Sequence, residues 1–135
     1  KIKDISEFLV STRIADRLKI PFEARVGYDD PCHLMHAQGI RSEPRRLLKA
    51  IPGIQFVEIE GADQCCGSAG IYNITQNELS MEILRRKMEK IIAAKVDVLA
   101  TGNPGCMFQF RYGAERAGVK LEVLHPVELL ARSLG

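Results

Sequence analysis

Short apolar runs alternate along this chain with longer stretches of helical periodicity, and few architectures accommodate that order. Ile5, Phe8, Leu9, Ile14 and Leu18 recur at roughly helical spacing, so residues 4–19 read as a helix that Pro21 ends. Residues 23–28 (EARVGY) read as a strand leading into the turn Asp29-Asp30-Pro31-Cys32. A short basic helix follows over 41–50, closed by Pro52-Gly53, and then a second strand over 54–59. The loop Gly61–Gly70 precedes a long helix over 76–95, where Thr75 and Glu78 form a capping-box pair and Leu79, Ile83, Met88, Ile91 and Ile92 form the apolar stripe. Residues 96–101 read as a buried strand, Gly102 to Cys106 as a turn, and the next helix runs to about Ala117. Residues 120–124 form a last strand, and Pro126 suits the first turn of a final helix. Such alternation predicts an α/β fold, a parallel sheet with helices on both faces.

The cysteines acquire meaning from this order. Cys32 follows the first strand, Cys65 and Cys66 the second, and Cys106 the third. Open α/β sheets gather ligands at the carboxyl ends of their strands. Three loops far apart in sequence are therefore expected to present four thiols at one rim.

Thiolates are soft donors that suit iron–sulfur clusters, zinc and copper(I), and four cysteines are the usual complement of an iron–sulfur cluster. Each cysteine has small or turn residues beside it: Pro31 before Cys32, Gly67-Ser68-Ala69-Gly70 after the pair, Pro104-Gly105 before Cys106. Small residues let backbone amides approach the sulfurs and offset an anionic cluster. Glycine and proline also mark ordinary turns. A disulfide between the neighbours Cys65 and Cys66 would close a strained ring. The bland alternative is that these are buried free cysteines packing as small hydrophobes.

Length and composition narrow the rest. The 135 residues fit one domain, and 46% hydrophobic content suffices for a packed core. A net charge of +2, with interspersed signs, leaves no footprint for nucleic acid. No apolar run is long enough to span a bilayer. The chain opens on Lys1 with no visible signal peptide, which reads as an excised domain of a longer protein, and its sparse, partly adjacent cysteines read as an intracellular α/β domain. No nucleophile–base pair stands out, Ser68 has no histidine partner by sequence, and no phosphate loop or dinucleotide fingerprint is present.

Other residues carry two readings each. His33 and His36 could join a zinc site with the cysteines, but four thiolates already complete one, so a hydrogen-bonding or solvent-facing role is the simpler expectation. His125 opens the last helix near the same rim. Arg41, Arg45, Arg46 and Lys49 make one basic helix, read as a solvated face with a docking surface for an acidic partner as the alternative. Tyr72, just past the cysteine pair with Asn73, either shields the site from water or fills core.

Taken in order, Cys32, Cys65-Cys66-Gly67 and Asn103-Pro104-Gly105-Cys106 resemble the cysteine-rich "CCG" domain shared by a subunit of heterodisulfide reductase, the lactate-utilisation iron–sulfur protein and the glycolate oxidase iron–sulfur subunit. The segments DPCHLMHAQGIRSEPRRLL (30–48), CCGSAGIYN (65–73), TGNPGC (101–106) and LHPVELL (124–130) look like the glycolate oxidase branch. The resemblance covers about residues 23–134. It implies a single cysteine-rich domain over 1–135, the C-terminal one of a longer iron–sulfur subunit. It further implies cytoplasmic electron transfer from a flavin-containing subunit of a 2-hydroxy-acid oxidase to the other iron–sulfur domains or toward a quinone, with the complex at the inner face of the membrane. The metal ligands implied are Cys32, Cys65, Cys66 and Cys106, with Gly67, Ser68, Asn103 and Gly105 lining the cofactor. Asn103 departs from the pattern: many family members carry there the first Cys of a final Cys-x-x-Cys. The five-cysteine set of heterodisulfide reductase is similar to what holds a noncubane cluster, whereas four thiolates fit an ordinary [4Fe–4S] cluster. A structural zinc site and a metal-free dithiol acting through Cys65 and Cys66 are the competing readings.

Overall fold

The computed structural model describes residues 5–30, 42–62 and 77–134. Helix α1 spans Ile5–Val10 and is followed by a 3-10 turn, Ile14–Arg17. Strand β1 (Ala24–Asp29) leads to α2 (Ser42–Lys49), β2 (Ile54–Val57), α3 (Asn77–Ala93), β3 (Val98–Thr101), α4 (Pro104–Ala117), β4 (Glu122–Leu124) and α5 (Pro126–Ser133). The strands form one sheet in the order β2-β1-β3-β4, and every pairing is parallel. The expected α/β architecture is therefore present, with strand ends at most two residues from the sequence reading.

Both faces of the sheet are buried, and side chains alternate between them as a pleat requires. On one face Leu99 and Val123 pack with Leu84, Met88 and Ile91 of α3 and with Met107, Phe110 and Ala114 of α4. On the other, Val26, Tyr28, Val98, Ala100 and Leu124 pack with Leu47 and Leu48 of α2, Leu129 and Leu130 of α5, and Leu18. Gly27 of β1 faces the first of these cores. A Cβ there would lie 2.4 Å from Ile59 Cδ1, so only glycine lets Ile59 pack flat on the strand.

Two helices differ from their sequence patterns. The run 4–19 is not one helix, because α1 stops at Val10 and Arg13 adopts φ 61°, a left-handed conformation that reverses the chain into the 3-10 turn. Ile5 and Phe8 are consequently exposed, while Leu18 reaches the core. In α3 the buried stripe is Ser80, Leu84, Lys87, Met88 and Ile91, whereas Leu79 and Ile92 face outward. Two polar contacts set that rotation, Gln109 Nε2 donating to Ser80 Oγ at 3.3 Å and the Lys87 pairing described below. The expected cap residue of this helix, Thr75, lies outside the described residues.

At the amino ends of the strands the chain is closed by Arg25, which donates to the carbonyls of Ala94 (2.9 Å) and Lys95 (2.8 Å) at the end of α3. No helix among the described residues is long and apolar enough to cross a membrane.

Candidate metal centre

The strand order turns around between β1 and β3: the chain first steps from β1 outward to β2, then crosses to the opposite side. A crevice opens at such a switch point, at the carboxyl ends of the strands, and ligands of open α/β sheets collect there. Asp29, the last residue of β1, pairs in register with Thr101, the last residue of β3. The Asp30 amide donates to the Ala62 carbonyl at 3.0 Å, which joins the exit of β1 to the turn after β2. The stems of the segments bearing Cys32, Cys65-Cys66 and Cys106 are thus brought side by side on three adjacent strands.

Cys106 is the one cysteine among the described residues. It lies in the first turn of α4 and not on a loop, because the helix begins earlier than the sequence turn implied. Asn103 is the N-cap: its backbone is extended, and its side-chain Oδ1 accepts the Cys106 amide at 3.1 Å. Pro104 occupies the first helical position, where a missing N–H costs nothing. Gly105 follows it, and Cys106 is buried. The helix N-terminus carries a partial positive charge that favours an anionic group placed against it.

Two acids, Asp29 at the end of β1 and Asp30 just after it, each meet a base from the helix on their own face. Asp30 is buried on the α2 side. Arg45 donates to it in fork geometry, Nη1 to Oδ1 and Nη2 to Oδ2, both at 2.7 Å, and Nε reaches Glu58 at 2.8 Å. The guanidinium also stacks 5.2 Å from the Tyr28 ring centre. The Asp30 hydrogen bonds hold the Arg45 pKa above its ordinary value, against the opposing effect of burial. Asp29 is buried on the α3 side, where Lys87 Nζ stands 2.7 Å from Oδ1 and donates to the Gly61 carbonyl at 2.6 Å.

Thr101 completes the rim. Its hydroxyl is fully buried and finds no hydrogen-bond partner among the described residues. An unmet buried donor costs about 1–3 kcal/mol, so a hydroxyl at this place suits an acceptor brought to the rim, such as a thiolate or a sulfide. With a buried thiol in the first turn of the helix that follows it, the donor chemistry fits a thiolate-held metal group.

Of the residues singled out from sequence, Asn103, Gly105 and Cys106 stand together at the start of α4. Cys32, Cys65, Cys66, Gly67 and Ser68 lie outside the described residues, as do His33, His36, Arg41, Tyr72 and Asn73. Among the described residues no three His, Cys, Asp or Glu side chains stand close enough to hold a metal ion. His125 is the N-cap of α5: Nδ1 accepts the Val127 amide at 3.1 Å while Glu128 accepts the His125 amide at 3.0 Å. The basic helix is not simply a solvated face, since Arg45 turns inward. Sequence reading missed Asp29, Asp30, Lys87 and Thr101. One signal was present for Lys87, which occupies the same helical stripe as Leu84, Met88 and Ile91, where a charge demands a partner.

The sequence profile of the cysteine-rich domain family matches residues 26–111. Over 138 residues the chain is 43% identical to the probable glycolate oxidase iron–sulfur subunit of Bacillus subtilis, covering all of this chain and 31% of that protein. It is 40% identical over 130 residues to a subunit of the fumarate reductase (CoM/CoB) of Methanothermobacter marburgensis, covering 96% of this chain and 26% of that protein. It is also 32% identical over 130 residues to lactate utilization protein A of Oceanobacillus iheyensis, covering 96% of this chain and 53% of that protein. The chain thus spans between a quarter and a half of these relatives. By this family match and these identities, the chain belongs to the cysteine-rich (CCG) domain family.

Proposed function

We propose that this domain holds an iron–sulfur cluster on Cys32, Cys65, Cys66 and Cys106 and passes electrons within an oxidoreductase complex. The observation that carries the reading is the convergence of three cysteine-bearing strand ends at the switch point of the sheet, tied by the Asp29–Thr101 register and the Asp30–Ala62 hydrogen bond. The names of the relatives support it, since two are iron–sulfur or reductase subunits of such complexes. When bound, the cluster supplies one-electron redox chemistry, and the protein sets its position, burial and hydrogen bonding. Four thiolates favour a [4Fe–4S] form. The start of α4 serves it through the helix N-terminus, through Gly105 and through Asn103, which fixes the Cys106 backbone. Gly67 and Ser68 are assigned to the same lining, on the resemblance.

The finer reading is a glycolate-type 2-hydroxy-acid oxidase. In it the domain is one part of a longer iron–sulfur subunit, accepts electrons from a flavin-containing subunit and hands them to neighbouring iron–sulfur domains. The complex is cytoplasmic, at the inner face of the membrane. The domain itself binds no organic substrate.

The test is iron, acid-labile sulfide and zinc content of protein purified without oxygen, with its visible spectrum. About four irons and four sulfides per chain, with a visible absorption that dithionite bleaches, is the expected result. About one zinc, no iron and no colour overturns it in favour of a structural metal domain.

A further inference from the structure

Lys87 is a buried cation on the apolar stripe of α3, in a position that a Met or Leu would fill without electrostatic cost. Burying an ion pair is a poor route to stability, since desolvation offsets most of the attraction and apolar replacements are often neutral or better. Its location therefore calls for another reason. Lys87 Nζ contacts two groups that belong to different strand exits: the Asp29 carboxylate, three residues before Cys32, and the Gly61 carbonyl, four residues before Cys65. The Asp30 to Ala62 backbone bond links the same two exits one residue further on. Both contacts lie on the α3 and α4 face, where Asp29 pairs in register with Thr101, two residues before the cap of the Cys106 helix.

We propose that Lys87 is a positioning residue for the metal centre: by bridging Asp29 and Gly61 it fixes the stems of the Cys32 and Cys65-Cys66 segments relative to each other, and so fixes the spacing at which their thiolates meet one metal group. The inference rests on the proposed ligand set. A lysine suits the task because its ammonium offers three donors on a long stem and serves two oxygens from separate loops at once. Lys90, one turn on along α3, makes the contrast. It stands 3.9 Å from the exposed Glu60.

The test compares wild-type protein, Lys87→Met/Asp29→Leu and Lys90→Met, each reconstituted with iron and sulfide without oxygen. Removing both members of the buried pair leaves neither of these two charges buried without the other, so the double variant is expected to fold; circular dichroism and urea unfolding of the metal-free protein check this. Iron release to a chelator is expected to be roughly ten- to a hundredfold faster in the double variant, the range seen when groups that orient metal ligands are removed. The electron paramagnetic resonance spectrum and reduction potential of its remaining cluster should also differ from wild type. Lys90→Met should match wild type in all three. Neither the spectrum nor the potential would respond to a purely stabilising role. A folded double variant with wild-type release rate, spectrum and potential overturns the inference and leaves the ligand set standing. Wild-type protein that takes up no iron overturns the ligand set, and the inference with it. Should the double variant not fold, Lys87→Gln, which keeps a donor but no charge, takes its place: faster release with an altered spectrum supports the inference, and wild-type behaviour overturns it.

Discussion

At the scale of single residues, the Asp30 carboxylate sits in the protein interior with its charge met by the fork of Arg45. Truncating the arginine leaves a buried anion without a counter-charge. Arg45→Ala should therefore cost about 3–5 kcal/mol in urea unfolding. Arg45→Lys should fall between, because a compact ammonium keeps the charge but cannot reproduce the planar fork that meets both Asp30 oxygens. A loss below about 1 kcal/mol for the alanine variant would mean that water replaces the guanidinium. Asn103 is a smaller case. Asn103→Ala removes the acceptor of the Cys106 amide and should cost about 1 kcal/mol, whereas Asn103→Asp keeps an oxygen there and adds a charge favourable to the helix start, so it should cost little. Neither role was open to sequence reading in full. A basic run on a short helix is ordinarily solvated, and nothing local says that one of its arginines turns inward to an acid fifteen positions earlier. Cys106 stood out in the sequence because its neighbours are turn formers; that it is buried inside a helix turn was not legible, since Pro104 and Gly105 read equally well as a loop.

At the scale of elements, close approach between β1 and the segment after β2 depends on Gly27. A Cβ there meets Ile59 Cδ1 at 2.4 Å and Cγ1 at 2.9 Å, with Val96 Cγ1 at 3.3 Å. Gly27→Ala should destabilise by about 1–3 kcal/mol through overpacking. Ile59→Val alone should cost about 0.5–1.5 kcal/mol, but in the Gly27→Ala background it removes the atom that clashes most. The two changes together should therefore cost less than their sum, by at least about 0.5 kcal/mol. Strict additivity in a double-mutant cycle would show that Ile59 escapes the new methyl by another rotamer. Periodicity identified the elements themselves but not which way each helix is rolled. The stripe read from sequence shares Met88 and Ile91 with the buried one, but it takes in Leu79 and Ile92, which face outward, in place of Leu84. The choice between them follows from Ser80 and Lys87, whose partners come from elsewhere in the chain. The break after Val10 was hidden for a related reason, as apolar residues continue at helical spacing on both sides of the reversal at Arg13.

At the scale of the molecule, topology decides which cysteines can meet. Alternating strands and helices were enough to expect a parallel sheet, and the order β2-β1-β3-β4 adds what the sequence does not contain, namely that the three strands preceding the cysteines are neighbours, with β4 at the edge outside them. A metal group held by Cys32, Cys65, Cys66 and Cys106 would close two long loops across those strands, and it would bind the folded chain in preference to the unfolded one. Loading should then stabilise by mass action: at a free concentration a hundredfold above the dissociation constant the gain is about 2.7 kcal/mol. For a domain of this length that corresponds to a rise in Tm of roughly 10 °C. Thermal melts under oxygen-free conditions, with and without reconstitution, should show this rise in wild-type protein and its reversal by a chelator. In Cys66→Ala the loaded and metal-free melts should lie much closer together, because a three-thiolate set closes the same loops less tightly. Any packing cost of the substitution is common to both melts, so the gap within each variant isolates the contribution of the metal. Coincident melts in the wild type, with metal present in the sample, would mean that the thiols bind it without bridging the strands, and would separate metal binding from the sheet geometry that brings the three strand ends together.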